Sequence, residues 1–68
     1  MDETLLKGIE VSIEVNRRLA KEYLRRSYEY EKAGNEQLRS YWFVNYHYLR
    51  GIVESLGEHK EQLLKEES

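Results

Sequence analysis

Mostly apolar residues recur at alternating intervals of three and four along both halves of the chain, and this periodicity constrains the fold more than any other feature. A mean interval of about 3.5 residues keeps side chains on one side of an α-helix. The sequence therefore predicts two amphipathic helices, each with one face turned toward a partner helix. The first series comprises Leu6, Ile9, Ile13, Asn16, Ala20, Tyr23, Ser27 and Tyr30, and the second comprises Leu38, Trp42, Asn45, Leu49, Ile52, Leu56, His59 and Leu63.

The segment KAGNEQ, residues 32–37, is the strongest interruption between the two series, and the chain has no proline. Gly34 suits the left-handed conformation that follows a helix C-terminus, and Asn35 is a preferred N-cap residue. We therefore predict helices at about residues 3–33 and 36–65, within a single domain of residues 1–68. Joined by a tight turn at Gly34 and Asn35, these helices form an antiparallel helical hairpin of the all-α class.

The aromatic segment SYWFVNYHYLRG, residues 40–51, provides the main alternative to an all-helical fold. Tyr, Trp, Phe and Val favour strands, but helix-forming residues flank the segment and no turn signal occurs between Asn35 and Gly51. The sequence therefore favours a helix here. Gly51 and Gly57 each cost this helix about 1 kcal/mol relative to alanine, which leaves a kink or break near Gly57 as an open alternative.

Apolar and aromatic side chains in residues 41–49 occupy nearly the whole circumference of the predicted second helix. A helix that is buried on one side only shows a stripe, so one partner helix does not cover them all. The chain also has no cysteine, and 68 residues is a size at which stability is marginal without disulfides or a partner. Both points predict self-association as a homodimer in which two hairpins form a four-helix bundle.

The distribution of charge predicts how the two hairpins pair. Residues 16–50 carry a net charge of +4, whereas residues 1–15 and 51–68 together carry −6. Each hairpin therefore has a basic half at the loop and an acidic half at the open end. Loops at opposite ends set unlike charges against each other, whereas loops together would set like charges side by side. We expect an antiparallel four-helix bundle with the loops at opposite ends.

One stripe on the second helix combines basic and aromatic side chains at spacings of three and four residues. Tyr, Trp and Arg dominate the hot spots of protein interfaces, and the acidic chain, with a pI near 5.7, is better suited to a protein partner than to nucleic acid. We therefore predict a small regulatory or adaptor protein that binds another protein, of a size typical of viral or mobile-element proteins. The predicted partner-binding residues are Arg39, Phe43, Val44, Tyr46, His47 and Arg50.

Single-stranded nucleic acid is the alternative partner, because bases stack on aromatic rings and phosphates pair with Arg and Lys. Two plainer interpretations also stay open. In the first, the aromatic surface is buried inside the homodimer. In the second, the charged side chains only solvate a helix face and form i,i+4 pairs such as Glu14 with Arg18. The nucleic-acid contacts predicted by the alternative are Arg18, Lys21, Arg25, Arg39 and Arg50.

The sequence carries no catalytic, metal-binding or cofactor signature. It has no Cys, its two histidines are not part of a Glu-x-x-His pair, and no Gly-rich loop is present to hold a phosphate. The longest apolar run, residues 41–44, is far too short to span a bilayer, and the first residues lack the basic segment and apolar core of a secretion signal. We expect a cytoplasmic protein that is not an enzyme and has no cofactor, metal, membrane or small-molecule partner.

Two short segments resemble known helical families. Residues 28–38, YEYEKAGNEQL, resemble the turn of a tetratricopeptide repeat, although the chain contains only one such unit. Residues 54–63, ESLGEHKEQL, are similar to part of the second helix of the Rop family of plasmid RNA-binding four-helix proteins. This match does not align the predicted turn of this chain with the turn of that family. No residue role is carried over from either family.

Overall fold

Two long helices make up almost all of the described chain. The computed structural model describes residues 3–67, with α1 at Glu3–Lys32 and α2 at Glu36–Glu67. The two helices pack against each other as a hairpin, which confirms the predicted all-α architecture. Residues 40–51 are helical, so the strand alternative is wrong, and α2 continues through Gly57 without a break.

The turn between the helices has the geometry that its residue types predict. Gly34 adopts the left-handed conformation, with φ of +75°. Its amide donates to the Glu31 carbonyl at 3.1 Å and the Asn35 amide donates to the Tyr30 carbonyl at 2.9 Å, which satisfies carbonyls at the end of α1. The Asn35 Oδ1 accepts a hydrogen bond from the amide of Leu38 at 3.1 Å. Gly34 therefore ends α1, and Asn35 is the N-cap of α2.

Small residues on α1 allow α2 to pack closely against it. Ala20 and Ser27 are both buried, and Ser27 is only 2% exposed. The Ser27 hydroxyl donates to the backbone carbonyl of Arg39 at 3.3 Å, so the backbone of α2 lies within reach of a short side chain on α1. Tyr23 meets the ring of Trp42 edge to face, with 5.2 Å between centroids. The loop half of the hairpin is therefore held by a hydrogen bond and an aromatic contact between helices.

Burial follows the predicted periodicity throughout α1 and at six of the eight predicted positions on α2. Every member of the α1 series is buried or half-buried. On α2, Leu49 is buried, but Leu38 and His59 are exposed. Lys60 is half-buried in place of His59 and lies 3.7 Å from Glu10 of α1. Lys60 takes the place of His59 because an α-helix has about 3.6 residues per turn, so its contact line shifts relative to a 3.5-residue repeat.

The hairpin is a single layer of two helices and is strongly elongated. It measures 51 × 14 × 11 Å and has a Cα radius of gyration of 15.6 Å, whereas a compact domain of this length has about 11 Å. Each helix is covered on one side only. Two broad faces, one on each side of the plane of the hairpin, are therefore open to further contacts.

Replacing Ser27 with leucine tests the close packing of the helices. Ser27→Leu must push α2 away or adopt a strained rotamer, so we expect a loss of roughly 1–3 kcal/mol in the free energy of unfolding. Ser27→Ala removes only the hydrogen bond to Arg39 and should cost about 1 kcal/mol. Urea denaturation followed by circular dichroism measures both changes.

Tyr28→Leu is the matched control, because Tyr28 is the next residue and is 55% exposed. We expect this control to change stability by less than about 0.5 kcal/mol. Equal destabilisation by Ser27→Leu and Tyr28→Leu would contradict the packing described here.

Candidate functional site

A continuous line of rings and guanidinium groups runs along α2. The Arg39 guanidinium lies 5.8 Å from the centre of the Phe43 ring, and Phe43 meets His47 edge-on at 4.5 Å. Phe43 also stacks on Tyr46 at 6.0 Å, with 22° between the rings. The Arg50 guanidinium lies 5.9 Å from the Tyr46 ring, and its Nη1 donates to the Tyr46 hydroxyl at 3.4 Å. We call these five residues the aromatic–basic column.

Two rings of the column are only partly exposed. Phe43 and Tyr46 lie outside the predicted contact series of α2, yet both are half-buried. The neighbouring column residues cover part of the Phe43 ring, whereas Tyr46 leans toward α1 and lines a groove between the helices. The column is therefore held in a defined arrangement by its own contacts.

Val44 was predicted to act with the column, but it lies on a different side of α2. Val44 is 66% exposed and Tyr48 is 69% exposed. Residues two positions apart point about 200° apart around a helix. Val44 and Tyr48 are each two residues from Tyr46, so both point away from it. On α1, three exposed aliphatic residues follow each other at intervals of four. We call the resulting surface the apolar face: Val11, Val15, Leu19, Val44 and Tyr48.

Most arginines in the loop half form ion pairs within their own helix. Arg18 pairs with Glu14 at 3.1 Å, and Arg26 lies 3.5 Å from Glu22. Arg25 bridges two glutamates, at positions 22 and 29. Arg39 binds Glu36 at 2.6 Å. Arg18, Arg25 and Arg26 each have an i,i+4 glutamate partner, as the i,i+4 interpretation predicts, whereas Arg39 pairs with Glu36 at i,i+3.

Three other cations lie in one groove and have no carboxylate partner in the described part of the chain. Among the described residues, no carboxylate oxygen lies within 4.0 Å of Arg17, Lys21 or Arg50. All three line a groove of about 510 Å³ between the helices. We call it the basic groove; its lining comprises Arg17, Ala20, Lys21, Leu24, Tyr46, Arg50, Val53 and Glu54.

The structure divides the predicted nucleic-acid contacts into two groups. Arg18, Arg25 and Arg39 are paired with glutamates, and only Lys21 and Arg50 meet in the basic groove. Arg17 joins them, although the sequence did not single it out as a site residue. The sequence feature that could have identified Arg17 is its position four residues before Lys21, which places two like charges on the same side of α1.

Hydrogen bonds from arginine shift the titration of two carboxyl groups. Arg39 lowers the pKa of Glu36 through a side-chain hydrogen bond, and Arg25 lowers the pKa of Glu22 in the same way. In return, the pKa of each arginine is raised. The lowered pKa keeps Glu36 ionised at neutral pH, and its carboxylate lies beside the Arg39 guanidinium at the head of the column.

The described residues offer no site for a metal and no transmembrane segment. No group of three or more His, Asp or Glu side chains within residues 3–67 is arranged to hold a metal ion. Neither α1 nor α2 contains a stretch that is both long and apolar enough to cross a bilayer.

Comparison with protein-family models, curated proteins and solved structures finds no match to this chain. Three surfaces of the hairpin are open to other molecules: the aromatic–basic column, the apolar face and the basic groove, which shares Tyr46 and Arg50 with the column.

Substitution of Arg39 tests the local pairing at the head of the column. Because the hydrogen bond from Arg39 lowers the pKa of Glu36, Arg39→Gln should raise that pKa toward the ordinary value for glutamate. The depressed pKa also means that the pair stabilises the fold above the unfolded-state pKa of about 4.3, and that this contribution is lost as pH falls through the folded-state pKa.

An NMR titration of the Glu36 side-chain carboxyl in the two proteins measures the change. Arg50→Gln is the control, because Arg50 makes no contact with Glu36 and should leave its titration unaltered. An unchanged Glu36 pKa in Arg39→Gln would show that the pair does not persist in solution.

Proposed function

We propose that this chain is a non-catalytic regulatory or adaptor protein that binds another protein through the aromatic–basic column. The observation that carries the proposal is the ring geometry of Phe43, Tyr46 and His47, with Arg50 against the Tyr46 hydroxyl. Tyr and Arg are enriched in interface hot spots. Side chains that already hold each other in place lose less conformational entropy on binding, which favours the column as a binding surface.

A protein partner is better supported than nucleic acid by the state of the arginines. Three of the five cations proposed as phosphate contacts are already paired with glutamates. A phosphate would have to displace those carboxylates, and the chain as a whole carries a net charge of −2. Both points weaken the electrostatic attraction on which nucleic-acid binding depends.

The size of the exposed surface supports self-association. The hairpin exposes 5347 Å², whereas a compact monomer of 8.2 kDa exposes about 4500 Å². The difference, about 800 Å², is close to the area that each partner buries in a standard interface. We infer that two hairpins pair through the apolar face to form a four-helix bundle, because exposed apolar patches of this kind mark interaction sites.

Pairing through the apolar face leaves the other two surfaces free. Val15 and Arg17 are two residues apart on α1, as are Tyr48 and Arg50 on α2, so each pair points about 200° apart around its helix. The division of charge along the hairpin favours an arrangement with loops at opposite ends. A homodimer of this form would present two copies of the aromatic–basic column, one on each outer surface.

Removing the column should abolish partner binding without unfolding the hairpin. Immobilised protein is expected to capture a protein partner from a lysate of the source cells after nuclease treatment. Phe43→Ala combined with Arg50→Ala should reduce this capture by at least about tenfold, because hot-spot truncations cost about 2 kcal/mol or more. The Tyr28→Ala variant is the control, since Tyr28 is exposed but outside the column.

Capture that disappears after nuclease treatment, with an affinity that falls steeply as salt rises, would contradict this proposal. That pair of results would assign the chain to nucleic-acid binding, because phosphate contacts make the logarithm of the affinity fall linearly with the logarithm of the salt concentration. A protein complex with an apolar core should change little with salt.

Tyr48→Glu should convert the dimer into a monomer. Sedimentation equilibrium should give twice the chain mass of 8.2 kDa for the unaltered protein, and a mass near one chain for Tyr48→Glu, because a charge in the centre of an apolar interface is not solvated. Tyr28→Glu, with the same chemical change at another exposed tyrosine, should remain dimeric. A monomeric unaltered protein at tens of micromolar would contradict self-association.

A spin label near the turn distinguishes the two dimer arrangements. Gln37 is exposed, and the chain has no native thiol, so Gln37→Cys provides a single labelling site. With loops at opposite ends of a hairpin 51 Å long, the two labels should lie about 40 Å apart or more by pulsed electron paramagnetic resonance. A separation below about 20 Å would mean that the loops lie together.

A further inference from the structure

The basic groove has the composition of a docking site for a helix. Ala20 and Leu24 on α1 and Val53 on α2 provide apolar lining, and Arg17, Lys21 and Arg50 provide three positive charges from both sides. We propose that this groove binds an acidic amphipathic helix of a partner protein. The proposal rests on the function proposed above and names the chemistry of the partner.

The unpaired state of the three cations points to an acidic partner. The paired arginines of the loop half, at positions 18, 25, 26 and 39, each have a glutamate within 4.0 Å. Within residues 3–67, no glutamate lies that close to Arg17, Lys21 or Arg50. Arg17 and Lys21 are like charges at i,i+4, an arrangement that destabilises a helix. Carboxylates supplied from outside the chain would relieve this repulsion and complete the ion pairs.

The shape of the groove fits a helix better than an extended strand. The groove lies between two packed helices, where a third helix can place its own ridge of side chains. From Arg17 to Leu24 the groove runs about 10 Å along α1, or two helical turns. A docked helix would place apolar residues at i and i+4 against Leu24 and Val53, which are half-buried. Its Asp or Glu residues, at the margins of that stripe, would reach the three cations.

Nucleic acid and a second copy fit the groove less well. Tyr46 is the only aromatic residue in the lining, so no more than a single base could stack there. Two copies meeting groove to groove with their mid-points aligned would bring six cations together. The apolar face, which carries no charge, provides a more favourable surface for a second copy.

Fluorescence anisotropy with designed probes tests the proposal on the full chain. The probe is a fluorescein-labelled peptide of about 16 residues, with leucines on one helical face and glutamates beside them. Control probes are a scrambled peptide of the same composition, the same peptide with every glutamate replaced by lysine, and an oligothymidylate of equal length. We expect the acidic amphipathic peptide to bind at least about tenfold more tightly than each control.

Charge reversal in the groove provides the second arm. Lys21→Glu should weaken binding of the acidic peptide by at least about tenfold and should strengthen binding of the lysine peptide. Lys7→Glu makes the same charge change outside the groove and should have little effect. Lys21→Ala, which adds no negative charge, should also weaken binding of the acidic peptide. It replaces Lys21→Glu if circular dichroism shows that Lys21→Glu does not fold.

The possible outcomes separate this proposal from the proposed function. The groove proposal is overturned if binding of the acidic peptide does not saturate at about 100 μM. It is also overturned if the scrambled and lysine peptides bind as tightly as the acidic peptide. If Phe43→Ala combined with Arg50→Ala still abolishes capture of the native partner while Lys21→Glu does not, the column function stands without the groove. Tighter binding of the oligothymidylate, lost in Lys21→Glu, overturns both in favour of nucleic acid.

Discussion

The close packing of α2 against short side chains of α1 is the contact on which the rest of the structure depends. Ser27 is small enough for its hydroxyl to reach the Arg39 carbonyl, and Ala20 lies buried further along the same face. The described residues form no third element that could cover the hairpin. Each helix therefore has one covered side. The position of each remaining residue around the helix axis, relative to that side, decides which outer surface it joins.

Helix geometry separates the two kinds of exposed surface. Val15 and Arg17 are only two residues apart but point to opposite faces of the hairpin. The same holds for Tyr48 and Arg50. As a result, the residues of the apolar face and the cations of the basic groove lie on opposite faces of the hairpin. The two faces of the hairpin therefore differ in chemistry, because one exposes aliphatic residues and Tyr48 and the other exposes cations beside Tyr46.

The state of each cation could not be predicted from the sequence. A basic residue on a helix often has glutamates at both three and four positions away, and only the side-chain conformations choose between them. Arg25 binds glutamates on both sides, whereas Arg17 is left without one although Glu14 lies three residues before it. The glutamate at 14 bonds to Arg18 instead. Local competition of this kind decides which charges remain available to a partner.

The sequence by itself determined the two helices, their turn and the contact face of α1. These features depend on periodicity and on the backbone preferences of Gly34 and Asn35, which act locally. Only the tertiary structure decided that Tyr46 leans into the groove and that Lys60 replaces His59 beside α1. The physical reason is that a helix rotates slightly relative to a 3.5-residue repeat, and the accumulated rotation moves side chains across the boundary between the contact face and the open surface.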